Sequence, residues 1–209
     1  MKFRFVFFDV DSTLVTIEGI DVLAGGNPEI ARLTERAMNG EIPLEEVYAK
    51  RLEIIRPNRA AVEALGQHYI ASLVTGAAAA IETLRDKSVQ IHLVTAGIAQ
   101  AVQPLASHLG VPERAVHAVA LRFNDAGDYE DFDRRSFLTR GGGKELVVRD
   151  VRARTHGTAA FVGDGASDLE AKPAVDLFVG FGGVHVRPKV KENAAVFAMT
   201  FDDVLKALT

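Results

Sequence analysis

The sequence predicts an α/β fold built on a doubly wound, mostly parallel β-sheet. From about residue 76 onwards, short runs rich in valine, isoleucine, leucine and phenylalanine alternate with segments of helical periodicity. This is the pattern of parallel strands joined by helices. Polar clusters follow directly after several of the apolar runs, as expected at the edge of an open α/β sheet where ligands bind. The 209 residues are enough for one domain that carries a small insertion.

The first strand is predicted at residues 3–8, a run of aromatic and β-branched side chains that ends abruptly in a polar segment. Helical periodicity follows. Pro28 stands where one helix begins and Gly40 where it ends, because proline suits the first helical position and glycine the residue after the last. Pro43 begins the next helix. The block from about residue 16 to 74 is therefore predicted to be a helical insertion after the first strand.

The rest of the chain alternates between the two kinds of element. Periodicity and turn residues predict helices at 77–87, 98–109, 144–154 and 169–172, and strands at 89–94, 159–162 and 177–179. Residues 116–123 and 128–132 are predicted to form a β-hairpin, joined through Asn124-Asp125-Ala126-Gly127.

The composition limits the possible functions. A formal net charge of -4 argues against a general nucleic-acid binder. The chain has no cysteine, which excludes disulfides and thiolate chemistry and fits a reducing compartment. The apolar run in MKFRFVFF is too short for a secretory signal, and the longest weakly polar stretch, near residues 70–81, is too short to cross a membrane. We expect a cytoplasmic protein that binds neither membranes nor nucleic acids.

Two carboxylates stand at the end of the first predicted strand, in Asp9-Val10-Asp11-Ser12-Thr13. Residues two apart on a strand face the same side, so Asp9 and Asp11 are expected roughly 6–7 Å apart. Such carboxylates repel beside a buried strand, and the pair is tolerable only with a cation or a shared proton.

Three further polar clusters follow along the chain. They are Thr95-Ala96-Gly97, Gly141-Gly142-Gly143-Lys144 and Gly163-Asp164-Gly165-Ala166-Ser167-Asp168. Each is weak evidence by itself, since an Asp-x-Asp pair is more often a turn and a glycine run is more often a linker. Together they supply oxygen ligands for a hard cation such as Mg²⁺, and hydroxyl, amide and ammonium groups for an anion. Phosphoryl transfer needs this set, and a carboxylate can serve as its nucleophile.

The four clusters resemble the motifs of the haloacid-dehalogenase superfamily, in its phosphoserine phosphatase branch. The segment Phe8–Leu14 resembles the first motif, Thr95 with Gly97 the second, Lys144 the third and Gly163–Ala171 the fourth. The similarity runs almost end to end. It implies a Rossmann-like core formed by residues 1–15 and 75–209, covered by a helical cap formed by residues 16–74.

The resemblance also implies a mechanism. Asp9 would attack phosphorus and carry it as an aspartyl-phosphate. Asp11 would protonate the leaving oxygen and later deprotonate the hydrolytic water, and Lys144 would complete the catalytic set. Mg²⁺ would be held by Asp9, Asp164 and the backbone carbonyl of Asp11.

The same resemblance implies how a small phosphoester is bound. The phosphate would be bound by Ser12, Thr95, Ala96 and Lys144, with Asp168 in support. The remainder of the substrate would be bound by Glu18, Met38, Arg51 and Gly97. The implied substrate is O-phospho-L-serine, whose hydrolysis to L-serine is a step of serine biosynthesis. Glu18 would take its ammonium group and Arg51 its carboxylate.

Two departures from the family pattern bear on substrate fit rather than on phosphate chemistry. The second motif usually reads Ser-Gly-Gly where this chain has Thr95-Ala96-Gly97, and the cap turn has Asn39-Gly40 where two glycines are usual. The sequence leaves open a phosphotransferase that passes phosphate to homoserine, a phosphatase for another small ester, and a silent binding protein of the same fold. It also leaves open a monomer or a homodimer. A receiver protein is disfavoured, because receivers lack a helical cap.

Overall fold

The computed structural model describes residues 2–154 and 156–209. A six-stranded sheet forms its centre, with all neighbouring strands parallel and in the order β3-β2-β1-β6-β7-β8. Its strands are β1 (Phe5–Phe8), β2 (Gln90–Ile98), β3 (Val116–Val119), β6 (Ala159–Gly163), β7 (Leu177–Phe181) and β8 (Val196–Ala198). A separate antiparallel hairpin consists of β4 (Leu121–Phe123) and β5 (Tyr129–Phe132). The predicted α/β class, with a mostly parallel doubly wound sheet and a hairpin, is confirmed.

Helices surround the sheet and fill the segment between β1 and β2. They are α1 (Gly19–Leu23), α2 (Pro28–Met38), α3 (Leu44–Ile55), α4 (Arg59–Ala71), α5 (Ala77–Asp86), α6 (Ala99–His108), α7 (Gly143–Arg154), α8 (Ala166–Leu169), α9 (Pro188–Asn193) and α10 (Phe201–Leu208). Short 3-10 turns lie at Glu113–Ala115, Phe137–Thr139 and Lys172–Ala174. Among the helices of the described residues, none combines the length and the apolarity that crossing a bilayer requires.

Strand β1 is central because all four of its residues are apolar and buried. It is paired on one side with β2 and on the other with β6, and side chains on both of its faces are buried. Phe8 is opposite Leu93 in β2 and Val162 in β6. This register brings the carboxyl ends of three strands to one edge of the sheet, where the strand order also changes direction and ligand sites form in such folds.

A row of aromatic rings crosses one face of the sheet and stabilises this register. The ring of Phe7 lies 6.4 Å from that of Phe161 and 5.1 Å from that of His92, between ring centroids. The row continues to Phe178 at 6.2 Å from Phe161 and to His117 at 5.4 Å from His92. Such pairs contribute about 0.5–1.5 kcal/mol each beyond the apolar area they bury.

The four helices α1–α4 form one inserted block whose two ends lie side by side. Val15 and Leu73 form an isolated antiparallel bridge. Next to it, Thr16 N–H donates to the Ser72 carbonyl at 2.8 Å, and Val74 N–H donates to the Leu14 carbonyl at 2.9 Å. The chain therefore leaves the sheet and returns to it through one short paired connection.

Three segments differ from the sequence-based predictions. The strand predicted at 89–94 is longer, because β2 continues through the predicted turn to Ile98. Residues 116–123 do not form a single arm of the hairpin, because β3 is parallel to β2 in the main sheet and β4 alone is paired with β5. Ala120 separates the two strands, and its carbonyl accepts from Asp133 N–H at 2.8 Å. The predicted helix at 169–172 is also displaced, since α8 occupies Ala166–Leu169 and a 3-10 turn follows at Lys172–Ala174.

Candidate active site

The strand register gathers the sequence motifs at one edge of the sheet. Asp9 directly follows β1, and its N–H donates to the Val162 carbonyl of β6 at 3.0 Å. Asp164 follows the end of β6. Thr95 lies in the carboxyl half of β2, where the pairing of β2 with β3 is irregular between Val94 and Ile98. Asp9, Thr95 and Asp164 are all buried.

A buried ammonium group links two of the carboxylates. Lys144 Nζ donates to Asp9 Oδ1 at 2.7 Å and to Asp168 Oδ1 at 2.5 Å. The side chain of Lys144 is only 5% exposed. Burial by itself would lower the pKa of Lys144, but Asp168 and Asp9 outweigh burial and hold this pKa above its ordinary value. Lys144 is therefore a fixed positive charge.

The glycine run before Lys144 is held in place by hydrogen bonds to two glutamate side chains. Gly141 N–H donates to Glu45 in α3 at 2.9 Å, and Gly142 N–H donates to Glu170 after α8 at 2.7 Å. At Gly143 a side chain is excluded, because a Cβ atom would lie 2.0 Å from the Phe137 carbonyl oxygen. These contacts fix the start of α7 and thus the direction in which Lys144 extends.

Asp164 is bound from two sides. Thr13 Oγ1 donates to Asp164 Oδ1 at 3.1 Å, and Arg187 Nε donates to Asp164 Oδ2 at 3.0 Å. Burial, together with the charge of Asp168, raises the pKa of Asp164 to about 6. Arg187 also donates to Asn39 Oδ1 at 3.0 Å and lies 4.0 Å from Glu18.

Arg187 was missed by the sequence analysis, since it stands just before α9 and outside every motif. The chain itself contains a weak signal. Arg187 directly precedes a proline that begins a helix. In the structure this arginine is buried, and a buried arginine usually requires a carboxylate partner.

The donor set at the sheet edge fits a hard divalent cation. Carboxylate oxygens of Asp9, Asp164 and Asp168 lie within 4.8 Å of one another, and all three residues are buried. Burial and the neighbouring carboxylates raise the pKa of Asp9 well above its ordinary value. Additional positive charge would therefore stabilise the ionised forms, and oxygen ligands of this type suit Mg²⁺ rather than zinc.

The carboxylate of Asp11 is oriented by the inserted helices. Asp11 Oδ1 accepts from Gly19 N–H of α1 at 2.8 Å and from the Tyr69 hydroxyl of α4 at 2.8 Å. Burial raises the pKa of Asp11, and these two hydrogen bonds oppose part of the increase. Tyr69 is 1% exposed and was not among the predicted site residues.

The segment Thr95-Ala96-Gly97 forms one wall of the site. Thr95 Oγ1 accepts from Gly97 N–H at 2.9 Å, which holds the hydroxyl in place. The Tyr48 hydroxyl of α3 donates to the Ala96 carbonyl at 2.9 Å. Burial raises the pKa of Tyr48, so its hydroxyl keeps its proton and remains a donor. This bond joins the inserted helices to the sheet edge.

Ser12 has a left-handed backbone conformation, with φ of 53°. Its hydroxyl donates to Glu18 Oε1 at 2.5 Å. Burial and the nearby Asp11 raise the pKa of Glu18 well above its ordinary value. The structure thus places Ser12 against Glu18, whose side chain is 15% exposed.

Arg51 is a buried cation with few partners. Its side chain lies in α3 and is 6% exposed. Arg51 Nη1 donates to Thr34 Oγ1 at 3.1 Å, while Nε has no hydrogen-bond partner among the described residues. Thr34 in turn donates to Asp21 at 2.7 Å. A buried guanidinium with an unsatisfied N–H is costly unless a further acceptor is supplied.

These groups surround one cavity between the sheet edge and the inserted helices. Its lining residues are Asp9, Asp11, Glu18, Gly19, Ile20, Thr34, Ala37, Met38, Leu44, Tyr48, Arg51, Leu52, Leu65, Tyr69, Thr95, Ala96, Gly97, Ile98, Lys144 and Ser167. Most of the sequence-predicted site residues are therefore brought together. Ser12 and Asp168 lie behind this lining and contact it through hydrogen bonds with Glu18 and Lys144. Asp164 is bonded to Thr13 and Arg187, which are not lining residues.

Comparison with known proteins identifies relatives over almost the whole chain. The family model described as haloacid dehalogenase-like hydrolase matches residues 6–171. A phosphoserine phosphatase from Bos taurus is 36% identical over 97% of this chain and 92% of its own length. A chloroplastic phosphoserine phosphatase from Arabidopsis thaliana is 37% identical over 97% of this chain and 71% of its own length.

A solved structure shares the fold. A phosphoserine phosphohydrolase-like protein from Francisella tularensis superposes with a TM-score of 0.90 at 22% identity, covering 99% of this chain and all of that one. At this identity the likeness concerns the fold, and it extends to both the sheet and the inserted helices.

The buried ion pair of Arg187 generates a stability prediction. Arg187→Met should lower the free energy of unfolding by about 3–5 kcal/mol, because it leaves Asp164 buried with its cation removed. The matched control is Arg134→Met, which removes an arginine paired with Asp131 at a site 60% exposed. Urea unfolding in the presence of EDTA measures both variants. Equal stabilities of the two variants would contradict this account of Arg187.

Proposed function

The chain belongs to the haloacid dehalogenase-like hydrolase family, and we propose that it hydrolyses O-phospho-L-serine to L-serine and phosphate. The proposal rests on one cavity whose lining includes the carboxylates of Asp9 and Asp11, the fixed charge of Lys144 and the incompletely bonded Arg51. The first three suit phosphoryl transfer, and the fourth suits a substrate with its own carboxylate. The relatives named phosphoserine phosphatase support the same substrate.

Asp9 is proposed as the nucleophile. One of its oxygens, Oδ1, is bonded to Lys144, which orients the carboxylate and reduces its repulsion of a phosphate group. A bond forms between an Asp9 oxygen and phosphorus, while the bond between phosphorus and the serine oxygen breaks. Lys144, the Thr95 hydroxyl, Ala96 and Ser12 would hold the phosphate oxygens, and fixed donors suit the charge on a transferring phosphoryl group.

Asp11 is proposed as the general acid and base. It lines the cavity next to Asp9, and burial raises its pKa, which favours the protonated form required of an acid. Its proton goes to the departing serine oxygen, which leaves as a neutral alcohol. In the second half of the reaction Asp11 takes a proton from water, which attacks phosphorus and releases Asp9.

Mg²⁺ is the proposed cofactor, held by Asp9, Asp164 and the backbone carbonyl of Asp11. The clustered oxygens of Asp9, Asp164 and Asp168 support this assignment. Asp168 differs from Asp164 in being a partner of Lys144, which it binds at 2.5 Å, and it also accepts from Gly165 N–H at 2.8 Å. We therefore give Asp168 a supporting role. When bound, the metal supplies positive charge that offsets the repulsion between the carboxylate nucleophile and the phosphate.

The amino-acid part of the substrate is proposed to lie against the inserted helices. The fork of Arg51 can bind a carboxylate through two parallel hydrogen bonds and would complete the bonding of its buried Nε. Glu18 lies across the same cavity and would pair with the ammonium group, while Met38 and Gly97 lie beside them. Residues 16–74 would accordingly act as a cap over the core formed by 1–15 and 75–209. The cytoplasmic location and the oligomeric state stay predictions.

The nucleophile can be tested with Asp9→Asn. Turnover of phosphoserine should fall below detection, because an amide cannot form the phosphorylated intermediate. The fold should persist, since Lys144 keeps its bond to Asp168. In the wild type, beryllium fluoride should add to Asp9 and nowhere else, as detected by ¹⁹F NMR. Asp86→Asn, at an exposed position in α5, is the matched control and should retain activity. A fully active Asp9→Asn protein would exclude the mechanism.

The metal can be tested by chelation. Treatment with EDTA should abolish hydrolysis, and Mg²⁺ should restore it, while Ca²⁺ should inhibit because its looser coordination suits the site poorly. Saturating Mg²⁺ should also raise the melting temperature, since a ligand that binds only the folded state stabilises it. That increase should disappear in Asp164→Asn. Undiminished hydrolysis after exhaustive chelation would count against a metal-dependent reaction.

The substrate can be tested with three esters. Phosphoserine should be preferred over phosphoethanolamine, which lacks the carboxylate, and over glycerol phosphate, which lacks both charged groups. Loss of a buried charged partner costs about 2–4 kcal/mol, so the preference should be roughly 30-fold or more in kcat/KM. Arg51→Lys should erase most of it, because an ammonium cannot form the bidentate pair. Arg32→Lys, exposed in α2, should keep it. If the wild type shows no such preference, the assignment of phosphoserine as substrate is wrong and only the assignment as a phosphatase for small esters survives.

A further inference from the structure

Asp11 Oδ1 has no capacity left for a proton. A carboxylate oxygen offers two lone pairs, and Oδ1 already accepts from Gly19 N–H at 2.8 Å and from the Tyr69 hydroxyl at 2.8 Å. The backbone N–H can only donate. A proton added to this carboxylate is therefore accommodated on Oδ2 alone.

The other oxygen, Asp11 Oδ2, lies beside the group proposed to bind phosphate. Gly97 has no side chain, and the space that a Cβ atom would fill there borders both groups. That position is 3.2 Å from Asp11 Oδ2 and 3.1 Å from Thr95 Oγ1. The same point is 3.5 Å from the Tyr69 hydroxyl. Asp11 Oδ2 and the Thr95 hydroxyl thus face a common space at the wall of the cavity, next to the site proposed for phosphate.

The Tyr69 hydroxyl is held in a donor role by its surroundings. Tyr69 is 1% exposed, and a phenol hydroxyl keeps its proton at neutral pH, so it donates to Asp11 Oδ1 at 2.8 Å. Tyr69 approaches the backbone of Gly19 closely. If residue 19 had a Cβ atom, that atom would lie 2.0 Å from the Tyr69 oxygen and 3.2 Å from Leu65. Glycine at position 19 therefore permits both the approach of Tyr69 and the second hydrogen bond to Asp11.

We infer that Tyr69 is a positioning residue for the proton transfer from Asp11, because its hydrogen bond keeps the transferable proton on Oδ2, the oxygen that faces the phosphate site. This inference rests on the proposed function. During the first half-reaction the proton passes from Oδ2 to the leaving serine oxygen, which takes the electron pair of the broken phosphorus–oxygen bond. Without Tyr69, Oδ1 has a free lone pair, and the carboxyl group can hold its proton on Oδ1 instead of Oδ2.

Tyr69→Phe tests this role. Two esters are compared by kcat/KM, which reports the steps through departure of the leaving group. Serine is a poor leaving group and needs the proton, whereas p-nitrophenolate leaves without it. General acid catalysis is typically worth about 10²–10⁴-fold, and we expect Tyr69→Phe to remove part of it, about tenfold for phosphoserine. Hydrolysis of p-nitrophenyl phosphate should change less than about twofold, since phosphate binding and attack by Asp9 are unaffected.

The matched control is Tyr129→Phe. Tyr129 is also buried, at 5% exposure, but it lies outside the cavity and its hydroxyl makes no hydrogen bond to a described residue. This variant should leave both esters unchanged. A second variant, Gly19→Ala, displaces the Tyr69 hydroxyl without altering Tyr69 and should reproduce the selective loss. Thermal unfolding establishes that each variant is folded before its kinetics are compared.

The outcomes separate this inference from the function it rests on. A selective loss for phosphoserine in Asp11→Asn, without one in Tyr69→Phe, would overturn the role of Tyr69 alone. An equal loss for both esters in Tyr69→Phe would also overturn it, because that result shows only a structural contribution. A wild type that releases no phosphate from either ester would overturn the proposed function and this inference together.

Discussion

The buried ammonium of Lys144 connects parts of the chain that are distant in sequence. It bonds Asp9 after the central strand and Asp168 in α8, and all three side chains are almost fully removed from water. Without that cation, two carboxylates would lie side by side in a region of low polarity, which costs several kcal/mol per ion. The position of α7 against the sheet edge therefore depends on charge balance as much as on apolar burial.

The inserted helices contribute chemistry as well as cover. Tyr48 fixes the Ala96 carbonyl, Tyr69 fixes Asp11, and Arg51 brings a buried cation to the far wall of the cavity. A site closed in this way strengthens electrostatic interactions, because little water remains to screen them. The paired connection between Val15 and Leu73 joins these helices to the sheet, and α4 packs extensively against α6.

Local pattern in the sequence predicts the central strand and the placement of the motifs. Strand β1 is a continuous apolar run, and the motifs were expected at strand ends because parallel strands bring their carboxyl ends to one edge. Residues 116–123 were misassigned because an edge strand of a parallel sheet and a hairpin strand look alike in sequence. Only their pairing differs, with β3 bonded to β2 and β4 to β5. Strand β8 has only three residues, too few for a readable period.

By itself the sequence determined which residue types the candidate site contains, their spacing and the strand ends at which they stand. Only the tertiary structure decided which groups orient them. Tyr69 is 58 residues from Asp11, and Arg187 is 23 residues from Asp164. Neither belongs to a motif, and a buried tyrosine on a helix face is indistinguishable in sequence from an ordinary core residue. These contacts exist because separate helices pack onto the same sheet edge, and such long-range packing leaves no periodic trace in the chain.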